Sequence, residues 1–248
     1  MKYELKKKIE QLIEAYQGNT TVVIEEMKGI IDKYKDKVTV YQPEHIHQVI
    51  KSGIEAILSN SNSVNNVYNQ KLKVIIEGAK EEILPMYFNN SSKTNDYATK
   101  INNALQFLDI EGDSISDEKA FMILKDFIDD YDQLRLFKNV IGKRVELDDA
   151  NGNTTFPKTF GKLNQIEVIM NTISEMEAIA NMLFVQPKGD GQTYVINGNK
   201  YVLPIDSYEQ IAGEDDIINL ATIVEEITDE VSGVGNVTDQ TEHEIVEN

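Results

Sequence analysis

Residues 117–141 read DEKAFMILKDFIDDYDQLRLFKNVI, and the spacing of their apolar side chains decides the fold class. Phe121, Leu124, Ile128, Tyr131, Leu134, Phe137 and Ile141 recur at steps of three and four, the period that lines side chains along one stripe of an α-helix. Ser116 stands where an N-cap is wanted, and Asp117 and Glu118 place negative charge in the first turn, where the helix dipole favours it. The stretch predicts one long helix at the centre of the core, its face of Asp126, Asp129 and Asp130 turned to solvent.

The same period extends outward on both sides. Leu5, Ile9, Leu12, Ile13 and Tyr16 predict a first helix that Gly18 and Asn19 end, and Val23, Met27, Ile30, Ile31 and Tyr34 predict a second. Pro43, preorganised for a first helical position, opens a third through Ile46, Val49, Ile50, Ile54, Ile57 and Leu58. The run Ser59-Asn60-Ser61-Asn62-Ser63 reads as a break before a fourth helix, whose stripe is Val64, Val67, Tyr68, Leu72, Ile75, Ile76, Ala79 and Ile83 and which stops at Pro85. A polar loop, Asn89 to Asn95, precedes a fifth with Tyr97, Ile101, Ala104, Leu105 and Leu108; a seventh runs through Leu163, Ile166, Ile169, Ile173, Met176, Ile179 and Leu183.

Two segments change period. Lys143 to Phe156 alternates around Asn151-Gly152 and predicts a hairpin with a long loop. Thr193-Tyr194-Val195-Ile196, Asn197-Gly198, then Asn199-Lys200-Tyr201-Val202-Leu203 is the sharper signal, because an Asn-Gly pair between β-formers suits the positive φ angles of a type I′ turn. The expected fold is mainly α: a multi-helix bundle with two β-hairpin excursions and an acidic C-terminal extension. Its expected divisions are a helical body over 1–141, a helix with two hairpins over 142–204, and an acidic docking segment and tail over 205–248.

Composition narrows the chemistry. The 248 residues include no cysteine, which removes disulfides, thiolate nucleophiles and sulfur-ligated zinc. Only Arg135 and Arg144 supply guanidinium forks against 42 acidic residues, a poor basis for reading phosphates or base edges, so direct sequence-specific nucleic-acid binding is not expected. The first residues alternate charge with apolar side chains, unlike a secretory signal, and no stretch approaches the ~18 apolar residues of a membrane span.

Motifs that resemble functional sites fail on their details. Asp109 to Glu118 begins like a calcium loop, yet Ser114 occupies the position of the invariant glycine and Ala120 that of the bidentate glutamate. His45 and His47 sit two residues apart on a helix, about 200° apart around its axis, and cannot chelate together. Gly189-Asp190-Gly191 lacks the third glycine and following helix of a dinucleotide fingerprint. No catalytic residue, cofactor-binding residue or metal ligand is assigned, and no cofactor is expected; an enzyme whose site is assembled from dispersed residues is the least favoured reading.

The charge is lopsided. Residues 201–248 hold 13 carboxylates and no lysine or arginine, whereas the chain as a whole carries a formal charge of -18. Within that end, Ile217, Ile218, Ala221, Val224, Ile227 and Val231 form an apolar ridge over 215–231, and Ser232 onward reads as a flexible end. The ridge and the hairpin residues Tyr194, Ile196, Tyr201 and Leu203 are the expected partner contacts, since a lone hairpin is unstable without something to pack on.

A helical body with hairpins, an acidic docking end, no cysteine or tryptophan, and a bias to Lys, Asn and Ile resembles in build the head-to-tail connector proteins of bacteriophages. The resemblance implies a non-enzymatic virion protein of the head, neck or portal, assembled in the host cytoplasm. It also implies a homo-oligomeric ring closed by heterologous contacts, with portal, capsid or neck subunits as partners. The alternative is an acidic regulator, such as a DNA-mimic inhibitor that competes for a basic groove.

Overall fold

The computed structural model describes residues 4–88, 96–150, 152–185, 191–205 and 211–234. The loop 89–95, Asn151, the Gly189-Asp190 pair and the end from 235, including His243, lie outside the described residues, as does the side chain of Val231. The fold is mainly α, as the periodicity predicts. In chain order the helices are α1 Leu5–Lys35, α2 Pro43–Tyr87, α3 Tyr97–Glu111, α4 Asp117–Leu124, α5 Tyr131–Ile141, α6 Pro157–Ala180 and α7 Glu214–Val234. Strands β1 Thr193–Ile196 and β2 Asn199–Val202 form an antiparallel hairpin between α6 and α7.

Two expected breaks do not occur. The buried residues of α1 include Leu12, Tyr16, Thr20, Val23 and Met27, so the stripe continues in phase past Gly18. One glycine costs a helix about 1 kcal/mol, less than an uninterrupted apolar face contributes. The serine and asparagine run of 59–63 likewise lies inside α2, whose 45 residues extend about 68 Å. Ser61 and Asn65 are buried there, holding the places in the stripe between Ile54 and Leu72. Pro85 falls in the last turn of α2, and the Phe88 amide still donates to the Leu84 carbonyl at 3.1 Å, so the lost proline donor is felt only at the helix end.

Conversely, the stretch 117–141 is not one helix. A 3₁₀ turn over Lys125–Phe127 follows α4, and α5 starts only at Tyr131. Asp130 makes the break: its carboxylate accepts the Gln133 amide at 3.1 Å as an N-cap, and it also accepts the Tyr97 hydroxyl. The change of phase turns Ala120, Leu124 and Phe127 inward and leaves Phe121 exposed. The hairpin expected over 143–156 shrinks to a single bridge, Asp148 to Thr154. There the Asp149 carboxylate takes the Asn153 amide at 2.8 Å beside two backbone bonds, the Asp149 amide to the Asn153 carbonyl at 2.8 Å and the Thr155 amide to the Leu147 carbonyl at 2.7 Å, and Gly152 has φ +80°.

Two compact units divide the chain, each discontinuous in sequence. The first comprises 1–77 and 174–225. Its core joins Ile24, Met27 and Ile31 of α1 to Ile46 and Ile50 of α2, and the hairpin closes over them with Ile196, Tyr201, Leu203 and Ile205. Further along, Tyr16, Tyr68 and Phe184 pack ring against ring. A carboxylate of α7 finishes α1: Glu225 accepts the Lys6 amide at 2.8 Å, serving a first-turn donor that Glu4 leaves without a side-chain cap.

The second unit comprises 78–173 and 226–248. Aromatic contacts run from Tyr97 to Phe127 to Phe137 and from Phe88 to Tyr131. Asp117 of α4 caps α6 from a distance in sequence, accepting the Lys158 amide at 2.8 Å, the Thr159 amide at 3.0 Å and the Thr159 hydroxyl at 2.7 Å. Lys138 reaches both Asn164 at 2.6 Å and Glu167 at 2.5 Å, tying α5 to α6. Arg144 donates to the Leu108 carbonyl at 3.1 Å and pairs with Asp109 at 2.6 Å, which satisfies the C-terminal end of α3.

Candidate protein-docking surfaces

The hairpin forms where the sequence places it. Asn197 has φ +53° and Gly198 +81°, the type I′ pattern, and Tyr194 faces Tyr201 across the ladder. Gly191 enters β1 so close to the Leu203 carbonyl that any Cβ there would collide with it. One face of the hairpin is spent on the unit's own core: Ile196, Tyr201 and Leu203 are buried, and only Tyr194 is half-buried. Tyr201 reaches His47 of α2 at 3.2 Å, and burial pushes its hydroxyl pKa up.

The apolar ridge of α7 is covered in the same way. Ile217, Ala221 and Val224 are fully buried within this chain, while Ile218 and Ile227 are half-buried. The residues expected to meet another polypeptide are therefore, in the main, already covered by their own fold, and the reason is geometric. An apolar stripe records that something covers it, and the sequence does not record which chain supplies the cover. Glu214, Asp215 and Asp216 occupy the first turn of α7, where the dipole stabilises them.

The candidate chemical clusters are dispersed. Asp126 pairs with Lys100 at 3.4 Å, Asp129 with Lys162 at 3.2 Å, and Asp130 with Tyr97. Burial first, and the neighbouring Asp130 second, raise the Tyr97 hydroxyl pKa. His45 packs against the Tyr41 ring and His47 against Tyr201, on different sides of α2. Among the described residues, no group of three or more histidine and carboxylate side chains could hold a metal ion. No helix among them is long and apolar enough to cross a membrane.

What the pattern reading missed is a surface of the first unit. Between α1 and α2 lies an open groove of roughly 740 Å³. Its floor is Leu12 and Ile75, its α2 wall carries Val67 and Val74, and Lys8 and Lys71 stand on opposite sides. Val67 is 50% exposed and Val74 67%, a large amount of apolar surface to leave in water two turns apart on one helix face. The Tyr68 hydroxyl donates to the Ala15 carbonyl at 3.1 Å beneath it, and the Lys71 ammonium lies 5.3 Å from the Tyr68 ring centroid. The available signal was Val67 and Val74 at a seven-residue step: the expected stripe takes in Val67 and omits Val74, whereas both belong to the flank that the core leaves uncovered.

In the second unit, Phe107, Ile110 and Met122 are exposed around a smaller hollow of about 310 Å³, beside the Lys119 and Glu111 ion pair of 2.5 Å. Compared with known proteins, the chain matches no family model, no curated protein and no solved structure.

Proposed function

We propose that this chain is a non-enzymatic assembly protein that acts through protein–protein contacts in the head, neck or portal region of a phage particle, the setting implied by its resemblance in build to head-to-tail connector proteins. The observation that carries the protein-binding part is the groove between α1 and α2. Its described lining is aliphatic with amide and lysine side chains at the rim, and it presents neither a carboxylate nor a histidine for acid–base work. Exposed aliphatic surface of this kind is what protein partners cover. The particle setting is supported by likeness of build alone, and portal, capsid or neck subunits are the partners it names.

Mass photometry tests the reading on the full chain, alone and mixed with the products of neighbouring genes. The expected outcome is a complex of fixed stoichiometry, a ring of copies or a bound portal, which Val74→Asp dissolves without changing the protein's melting temperature. A monomer that remains one in every mixture overturns it.

A further inference from the structure

We infer that the groove between α1 and α2 receives an amphipathic helix from a different protein, one whose apolar ridge is flanked by carboxylates that meet Lys8 and Lys71. The inference rests on the protein-binding reading above and names the chemistry of the partner. Shape supports a helix. The lining runs along α2 from Asn66 to Ile75 and along α1 from Lys8 to Ala15. That length, about 14 Å at 1.5 Å per residue, is two and a half helical turns, the span of apolar anchors spaced i, i+3, i+4 and i+7.

Charge selects the flanks of that helix. The protein has 42 acidic residues and 24 basic ones, yet among the described residues both charged side chains on the groove are lysines. Within a Debye length of about 8 Å at physiological salt, the charges on the groove wall act most strongly on a docked segment, so carboxylates on its flanks are favoured there over basic residues. Lys71, already held over the Tyr68 ring, needs little ordering to meet a carboxylate.

Other occupants fit less well. A second copy of the chain would press a protein surface of about 20–30 residues on the groove, whereas ten described residues line it. An acyl chain or other small apolar ligand needs a cavity that encloses about 70–90% of its surface, and this groove is open to solvent along one side.

The test is fluorescence anisotropy on the full chain with a labelled peptide of about 12 residues, leucines at i, i+3, i+4 and i+7 and glutamates on both flanks. The comparison peptide carries lysine at each glutamate. The acidic peptide should bind at least about tenfold more tightly, Lys8→Glu with Lys71→Glu should reverse the preference, and Val74→Asp should remove binding of both. All three side chains are exposed, so the variants should melt with the wild type, which separates loss of contact from loss of fold. Equal affinity for the two peptides, or an unchanged preference after charge reversal, overturns the inference. If neither peptide binds while Val74→Asp still dissolves the complexes seen by mass photometry, the groove takes a partner of other chemistry and only this inference falls. If the complexes contain this chain alone, the occupant is a second copy and the inference falls too. If Val74→Asp leaves the complexes intact and no peptide binds, the groove has no part in assembly and its role in both readings is withdrawn.

Discussion

Asp130, Asp117 and Glu225 show how much single carboxylates organise in this chain. Each serves backbone amides at the start of a helix, and two of them serve a helix remote in sequence: Asp117 the first turn of α6 and Glu225 the first turn of α1. Tyr87 is a different kind of buried polar group. Burial pushes its hydroxyl pKa up to about 12, the Thr228 hydrogen bond opposing the rise and the Glu230 charge adding to it. The unfolded chain releases this proton near pH 10, so the group's contribution to stability is complete below about pH 10 and falls as pH rises toward about 12. Tyr87→Phe has no such proton to lose. Between about pH 9 and about pH 11 its urea midpoint should therefore fall less than the wild type's, and parallel curves would show that Tyr87 ionises as freely in the folded state as in the unfolded one.

At the scale of elements, the helices are longer where propensity argues for a break and shorter where it argues for continuity. Gly18 and Gly29 are exposed in α1, and a Cβ built on either has no heavy atom within 4 Å. Each alanine substitution should therefore add about 0.5–1 kcal/mol of helix stability, and Gly18→Ala with Gly29→Ala should raise Tm by roughly 2–8 °C by calorimetry. A lower Tm would mean that α1 bends at these glycines. In α2 the polar seam has its own cost. Asn69 Oδ1 is buried with no hydrogen-bond partner among the described residues, a cost of about 1–3 kcal/mol, yet the helix continues because the isoleucines and leucines on either side remain in phase. Periodicity across a breaker was thus readable at Tyr16, Thr20 and Val23. The Asp130 cap was less so, because its effect depends on Tyr97 reaching it from another helix.

For the molecule as a whole, the excess of carboxylates sets a self-repulsion that no single ion pair reports. A formal charge of -18 predicts that Tm rises as salt goes from about 0.01 M to about 0.1 M, shortening the Debye length from about 30 Å to about 10 Å. A Tm that falls over that range would show that attractive pairs such as Lys138 with Glu167 outweigh the repulsion. The candidate docking groove was not legible in the sequence, although the helical period on both sides of it was. Leu12, Val67, Val74 and Ile75 carry the same apolar character, and only the packing of α1 on α2 decides that Leu12 is buried while Val74 stands in water.

The sequence by itself determined the helical class, the Asn197-Gly198 turn, the lack of thiol chemistry and the acidic end, because these follow from local period, turn stereochemistry and composition. Tertiary structure decided which breakers are tolerated, where 117–141 divides, that the ridge of α7 is covered by its own chain, and which apolar flank is left open. Those outcomes balance local penalties of about 1 kcal/mol against burial between segments far apart in sequence, and that balance exists only once the segments have met.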